Sequence, residues 1–321
     1  LQGRVRLIHI PTLEAKGILV NLAIFIKAII LLPWLALRYR PLIVHLQLSK
    51  RGSFVRKFIL FLWAQVWGLK TIVHLHGSQF EEFMNANAIN RVLTKFLFDH
   101  VSHVLVLSEP WNRKLRLFSD NTHVTTLYNP AQLYEKCPAI DDKVRVLFMG
   151  RLGERKGVYD LLNCIAQNQS DFKKQRVRFI LAGDGDVDRV RKFACDTGIN
   201  ELVEVPGWVA GEVRERYLKT SDILILPSYN EQMPMSILEG MGYGYPIIAT
   251  QIAGIPEMVT NGENGFLFNP GDVRTMTDIL IRLCHDSKLR QQMGQKSRQI
   301  IRDKFESKII IEQLVNIYEH L

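Results

Sequence analysis

Short runs rich in valine, isoleucine and leucine recur along this chain, each set off from the next by a longer stretch of helical character. In the first half they are "RLIHI" (Arg6–Ile10), "PLIVHLQ" (Pro41–Gln47), "KTIVHLHG" (Lys70–Gly77) and "SHVLVLS" (Ser102–Ser108). In the second half they are "VRVLFMG" (Val144–Gly150), "VRFILAGDG" (Val177–Gly185), "LVEVPGWV" (Leu202–Val209), "DILILPS" (Asp222–Ser228), "PIIAT" (Pro246–Thr250) and "GFLFNP" (Gly265–Pro270). Strands that alternate with helices pair in parallel, so the pattern predicts an α/β fold of open parallel sheets flanked by helices.

A length of 321 residues exceeds what one hydrophobic core usually organises, and two domains are expected. The polar, proline-bearing stretch "AQLYEKCPAIDDK" (Ala131–Lys143) has no clear period and reads as the linker. The boundary is placed near residue 135, giving domains 1–135 and 136–321, with the final helix able to pack back on the first. A mononucleotide-type domain opens with a strand and a glycine-rich turn. The beginning of this chain has neither G-G nor G-x-G, so the first domain is expected to lack that opening strand and loop.

Charge is unevenly distributed. Residues 1–140 carry 17 Lys and Arg against 7 Asp and Glu, while residues 141–321 carry 24 against 25; in the first 80 residues Glu14 is the sole acid among 11 basic groups. One half therefore faces an anionic partner, nucleic acid or a membrane surface. With no nucleic-acid motif present, an anionic membrane met through residues 1–80 is preferred and nucleic acid is not expected. Residues 18–37 reach the length of a membrane span but include Asn21, Lys27 and Pro33. They read as an apolar helix packed on the sheet or dipping into the interface beside Arg38, Arg40, Lys50, Arg51, Arg56 and Lys57, with a true span the lesser alternative. No signal peptide is expected. The four scattered cysteines suggest neither zinc cage nor disulfide framework and fit a reducing compartment.

Several residues sit where open sheets bind ligands, at the carboxyl ends of strands. Arg151 and Lys156 follow "VRVLFMG"; a guanidinium fork and a mobile ammonium suit neighbouring phosphates, although solvated surface charge is the plain alternative. Gly183 and Gly185 make a tight turn, which by itself is weak evidence for a ligand. His76 ends its strand before Gly77 and reads as pointing into a cleft, or else as a structural histidine paired with Glu81 or Glu82; His74 reads as more buried. In "SYNEQMPMSILEGM", Glu231 falls in a loop and Glu239 inside a helix that Pro234 opens. Between them the amides of Gln232–Ser236 form the positive end of that helix. Two acceptors flanking an anion site match the hydroxyl–phosphate–hydroxyl order of a nucleotide sugar.

Taken in order, "GRLGERKG", "AGDGD", "PGWV", "LPSYNEQMPMSILEGMGYGYPIIAT" with its E-x7-E, and "GIPEMV…GENGFLF" resemble glycosyltransferase family 4, the retaining enzymes of two-Rossmann GT-B fold. "HLHGSQF" resembles the first domain of bacterial polysaccharide-assembly members. The resemblance spans most of residues 41–320 and implies two Rossmann-like domains facing each other across a cleft. By it, Arg151 and Lys156 hold a diphosphate, the base lies around Gly207 and Trp208, and Gly150 and Gly183 belong to the donor-binding set. Glu231 with Gln232, Met233, Pro234 and Met235 binds the sugar, Glu239 the ribose, and His76 reaches the anomeric carbon from the opposite domain. The implied catalytic set is His76, Arg151, Lys156 and Glu231, with no metal and no cofactor. The substrates implied are a nucleoside diphosphate sugar, uridine-linked in preference to guanosine-linked, and a lipid-linked saccharide. The implied setting is the cytoplasmic face of the plasma membrane. Two rivals stand beside this: a nucleotide-sugar 2-epimerase, disfavoured by the acid-poor first half, and an inert nucleotide-sugar-binding or scaffold protein.

Overall fold

The computed structural model describes residues 4–14, 17–40, 42–121, 123–135, 137 and 141–321. The chain forms two compact units, one running to Tyr128 and taking in Ile310–Leu321, the other Asn129–Ile309.

In the first unit, strands β1 (Ile43–Leu48), β2 (Lys70–Leu75), β3 (His103–Val106) and β4 (Val124–Thr126) form a parallel sheet in sequential order. Register places Leu46 opposite Val73, Val73 opposite Val104, and Val104 opposite Val124. These four form one buried row packed under Phe54, Phe61, Phe80 and Phe98. Those aromatics come from the crossover helices α2 (Gly52–Val66), α3 (Phe80–Asn85) and α4 (Ala88–His100), and α5 (Glu109–Phe118) follows β3. Side chains alternate across a strand, so Ile72 and Leu105 face the other way, onto Leu127 and Ile310.

Helix α1 (Ile18–Arg38) sends Phe25 and Ile29 into the first-unit core, and the indole N–H of Trp63 on α2 donates to the Ile29 carbonyl at 3.0 Å. Only 17% of its most apolar 18-residue window is buried, and Ile18, Leu19, Ile30, Trp34 and Leu37 are exposed. Among the described residues it is the one helix whose length and composition suffice to cross a membrane.

Two strand expectations in this half change. "RLIHI" forms no strand: no neighbouring strand supplies a ladder, and Leu7, 61% exposed, finds no core. Conversely, Val124–Thr126, which is not among the expected strand runs, pairs with β3.

The second unit contains β5 (Val144–Met149), β6 (Val177–Ala182), β7 (Val203–Gly207), β8 (Ile223–Leu226), β9 (Ile247–Thr250) and β10 (Gly265–Phe268), all six at the expected runs. They are parallel in the order β7-β6-β5-β8-β9-β10, so the winding reverses between β5 and β8. Helices α6 (Val158–Gln167), α7 (Gln169–Lys174), α8 (Val187–Asp196), α9 (Gly211–Thr220), α10 (Met235–Gly242), α11 (Val273–His285) and α12 (Ser287–Ile300) make the connections and the exit. Cover on both faces explains why "ILIL" and "IIAT" are buried without alternation. Helix α13 (Ser307–Glu319) begins in this unit, and its residues from Ile310 pack on the first sheet.

Candidate functional site

Where β5 and β8 lie side by side, their outgoing loops part to opposite sides of the sheet, which in an open parallel sheet leaves a crevice at the carboxyl ends. Here two glycines serve close packing. Gly157 begins α6 at φ +70°, and a Cβ there would lie 1.9 Å from the Pro227 carbonyl oxygen, so only glycine lets the loop after β5 rest on the loop after β8. A Cβ on Gly183 would lie 1.8 Å from the Gly150 carbonyl oxygen. The Gly150 N–H donates to Ala182, and the Gly183 N–H to Gly207, so the expected glycines Gly150, Gly183 and Gly207 form one row of backbone contacts across three strand ends.

The loops after β5 and β8 are stitched together. The Tyr229 N–H donates to the Arg155 carbonyl, and the Arg155 guanidinium returns to the Asn230 carbonyl, each at 2.9 Å. One residue further on, the Lys156 ammonium contacts Oε1 of Glu231, and the Ser228 hydroxyl donates to that same oxygen at 2.9 Å. The Lys156 and Glu231 side chains are 14% and 7% exposed, a burial that charged groups tolerate only when paired. Arg151 differs. Its guanidinium is 65% exposed and lies 3.2 Å from Asp184, itself 51% exposed, and such a pair contributes at most about 1 kcal/mol.

Pro234 is the N-cap of α10, so the helix supplies its first amides from Met235 onward. Gln232 and Met233 are buried. The Gln232 carbonyl accepts from the Gly254 N–H, and the Met233 carbonyl accepts from the Asn129 side-chain amide, each at 2.9 Å. Glu239 lies about one turn inside the helix, and its Oε2 accepts from Arg214 Nη2 at 2.5 Å. Arg214, on α9, was not anticipated. Trp208, just past β7, is 74% exposed, with a face available for stacking.

In the first unit, His76 follows β2 and its N–H donates to the Leu48 carbonyl at 2.9 Å. Its ring lies 4.1 Å from that of His74, which lies 5.4 Å from His45, whose Nδ1 meets the Tyr318 hydroxyl at 2.6 Å. Loss of hydration around the rings lowers all three imidazoles: the buried His74 to about 2, the half-buried His45 to about 4, and His76, whose residue still reaches solvent, below the usual range, with the neighbouring ring charges adding to the first two. His76 is therefore neutral at pH 7. Glu81 is not its partner, because Lys114 holds that carboxylate. His74 is 7% exposed and its Nε2 has no partner among the described residues.

A hollow of about 930 Å³ opens in the first unit beside Lys70, Ser102, His103 and His123, toward the amino ends of the strands. Parallel sheets bind substrates at the other end, so it is not assigned to the chemistry. Among the described residues no group of three or more His, Cys, Asp or Glu is gathered as a metal-ligand set.

Residues 133–300, just over half the chain, match the family described as Glycosyl transferases group 1. The chain is 24% identical over 294 residues to the alpha-D-kanosaminyltransferase of Streptomyces kanamyceticus, covering 84% of this chain and 75% of that protein. It is 26% identical over 275 residues to an amylovoran biosynthesis glycosyltransferase of Erwinia amylovora, covering 79% and 66%. Among solved structures, its fold is similar to Anabaena HepE in complex with UDP, with a TM-score of 0.78 and 19% identity over 93% of this chain and 82% of that one. It is also similar to the lipopolysaccharide outer core galactosyltransferase WaaB in its apo form, with a TM-score of 0.66 and 21% identity over 95% and 83%.

Proposed function

The chain belongs to the group 1 glycosyl transferases, family 4 enzymes of GT-B fold, and on that premise we propose that it moves a hexose from a uridine diphosphate sugar to a lipid-linked saccharide, with retention, in cell-surface polysaccharide assembly. The observation that carries the reading is the meeting of Lys156, Ser228 and Glu231 at the point where the second sheet reverses its winding.

In this account the donor's diphosphate takes the Lys156 ammonium and the Arg151 guanidinium from their carboxylate partners. Glu231, released, accepts from hydroxyls of the sugar. The bond from the anomeric carbon to the phosphate oxygen breaks, and its electron pair stays on the diphosphate, where the two cations stabilise the growing charge without a metal. The acceptor hydroxyl attacks from the same face and passes its proton to the leaving phosphate oxygen. The Glu239 carboxylate receives the ribose hydroxyls, and Trp208 stacks on the base. His76 contributes a neutral imidazole, suited to hydrogen bonding with a sugar and not to pairing with phosphate.

The first unit is proposed to rest on the cytoplasmic, anionic face of the plasma membrane. Support comes from the exposed apolar side of α1 and from Arg38, Arg40 and Arg51 near its end and at the start of α2. Lys57 is set apart from that basic group: its ammonium bonds the Thr12 hydroxyl, and burial lowers its pKa to about 8.

The test is incubation with labelled uridine diphosphate sugars and a polyprenyl-diphosphate saccharide. Free UDP and a product keeping the donor's anomeric configuration are expected. Binding without turnover would instead indicate an inert binding protein, and an inverted C2 on the sugar nucleotide a 2-epimerase.

A further inference from the structure

Helix α9 carries Arg214, Arg216 and Lys219, three cations of similar appearance in the sequence. Their partners separate them. Lys219 pairs with Glu215 on its own helix, and Arg216 lies over the ring of its neighbour Tyr217. Arg214 alone of the three reaches off the helix, to Glu239 on α10. The same segment carries Trp208 before the helix begins, so one stretch of chain links the exposed indole to the carboxylate on α10.

The contact is directional. Nη2 of Arg214 engages Oε2 of Glu239, and Oε1 has no protein partner among the described residues. An ionised carboxylate accepts about four hydrogen bonds, so one guanidinium donor leaves most of that capacity open. The side chains are 36% and 20% exposed, so the pair is reachable by a ligand yet partly shielded from water. The rings of Tyr134 and Tyr243 stack 4.6 Å apart and 14° from parallel, and the Glu239 charge is close enough to raise the pKa of the Tyr134 hydroxyl.

We propose that Arg214 is a positioning residue for the donor's ribose: it supplies the countercharge of Glu239 and fixes its rotation so that Oε1 accepts from the vicinal hydroxyls. This rests on the reading above in which Glu239 receives the ribose. Arg214 acts through that carboxylate, so its removal weakens recognition of the diol and leaves the diphosphate contacts in place.

Calorimetric titration with UDP and with 2′,3′-dideoxy-UDP separates the two levels. The wild-type protein is expected to prefer UDP. Glu239→Ala erases the preference, Arg214→Ala reduces it by about tenfold, Arg214→Lys restores part of it, and Arg216→Ala leaves it unchanged. In transfer assays Arg214→Ala raises the donor KM with little change in kcat, a split that a purely structural role would not produce. If Glu239→Ala erases the preference while Arg214→Ala retains it, the role of Arg214 is overturned and the ribose reading stands. If Glu239→Ala retains the preference, the ribose reading itself fails. Should Arg214→Ala not fold, Arg214→Gln carries the same comparison.

Discussion

The Lys156 ammonium rests on the one carboxylate oxygen of Glu231 that also receives the Ser228 hydroxyl. Without donor, the site thus neutralises its own buried charge, and a ligand must exchange into an existing pair. Breaking such a pair from one side strands the other charge, at a cost of about 3–5 kcal/mol for full burial and less at this partly open site. Lys156→Met is therefore expected to lower stability in urea denaturation, and Lys156→Met with Glu231→Gln to recover most of the loss. A double variant no more stable than the single one would show that the pair holds little of the loop in place.

Arg151 should behave in the opposite way. Its partner Asp184 is half exposed, so Arg151→Ala is expected to change stability by no more than about 0.5 kcal/mol. Transfer should nevertheless fall about 10²–10³-fold, the usual effect of removing one electrostatic group from a transition state. Steady-state kinetics together with a thermal melt read both quantities.

Gly157 has no room for a side chain. Its φ of +70° and the 1.9 Å approach of the Pro227 oxygen to a Cβ predict that Gly157→Ala forces the loops after β5 and β8 apart. A strained left-handed residue alone costs about 1–3 kcal/mol, and the backbone clash adds to it. A melting temperature at the wild-type value would contradict the packing described for these loops.

The imidazoles of His74, which is buried, and His45, which is half-buried, set a pH dependence in the first unit. Unfolded, they titrate near 6.5; folded, His45 titrates near 4 and His74 near 2. Below pH 6.5 the unfolded chain binds protons that the folded one refuses, so stability is fully present above that pH and falls on acidification towards pH 4. Each such group contributes up to about 1.4 kcal/mol per pH unit. Four of the five tryptophans, Trp34, Trp63, Trp67 and Trp111, lie in this unit, so tryptophan fluorescence follows its unfolding. His74→Phe should flatten the slope, and an unchanged slope would remove His74 as a source of it.

For the membrane, reversing Arg38, Arg40 and Arg51 to glutamate should release the protein from vesicles containing phosphatidylserine, read by flotation. Unaltered flotation would rule out charge as the means of attachment.

How far these features were visible beforehand depended on how locally they are encoded. The strands of the second sheet were legible because runs such as "ILIL" are apolar throughout, as cover on both faces requires. Val124–Thr126 was not, being three residues with two threonines and stabilised mainly by its pairing with β3. "RLIHI" misled because its composition suits a strand that no neighbour completes. Lys156 and Glu231 could each be picked out by position, but their contact follows from β5 lying beside β8, an adjacency that strand order alone supplies. Gly183 was legible as a tight turn, but its close approach to the Gly150 backbone, which depends on the pairing of β5 with β6, was not. Arg214 gave no signal, since only the approach of α9 to α10 distinguishes it from Arg216.

The most direct measurement is to compare Glu231→Ala with wild type in one experiment that records both UDP affinity and single-turnover sugar transfer. The account predicts that transfer is lost while UDP binds as tightly as before, or more tightly because Lys156 is no longer held by a carboxylate. A variant that loses UDP yet transfers sugar at the wild-type rate when saturated would contradict it.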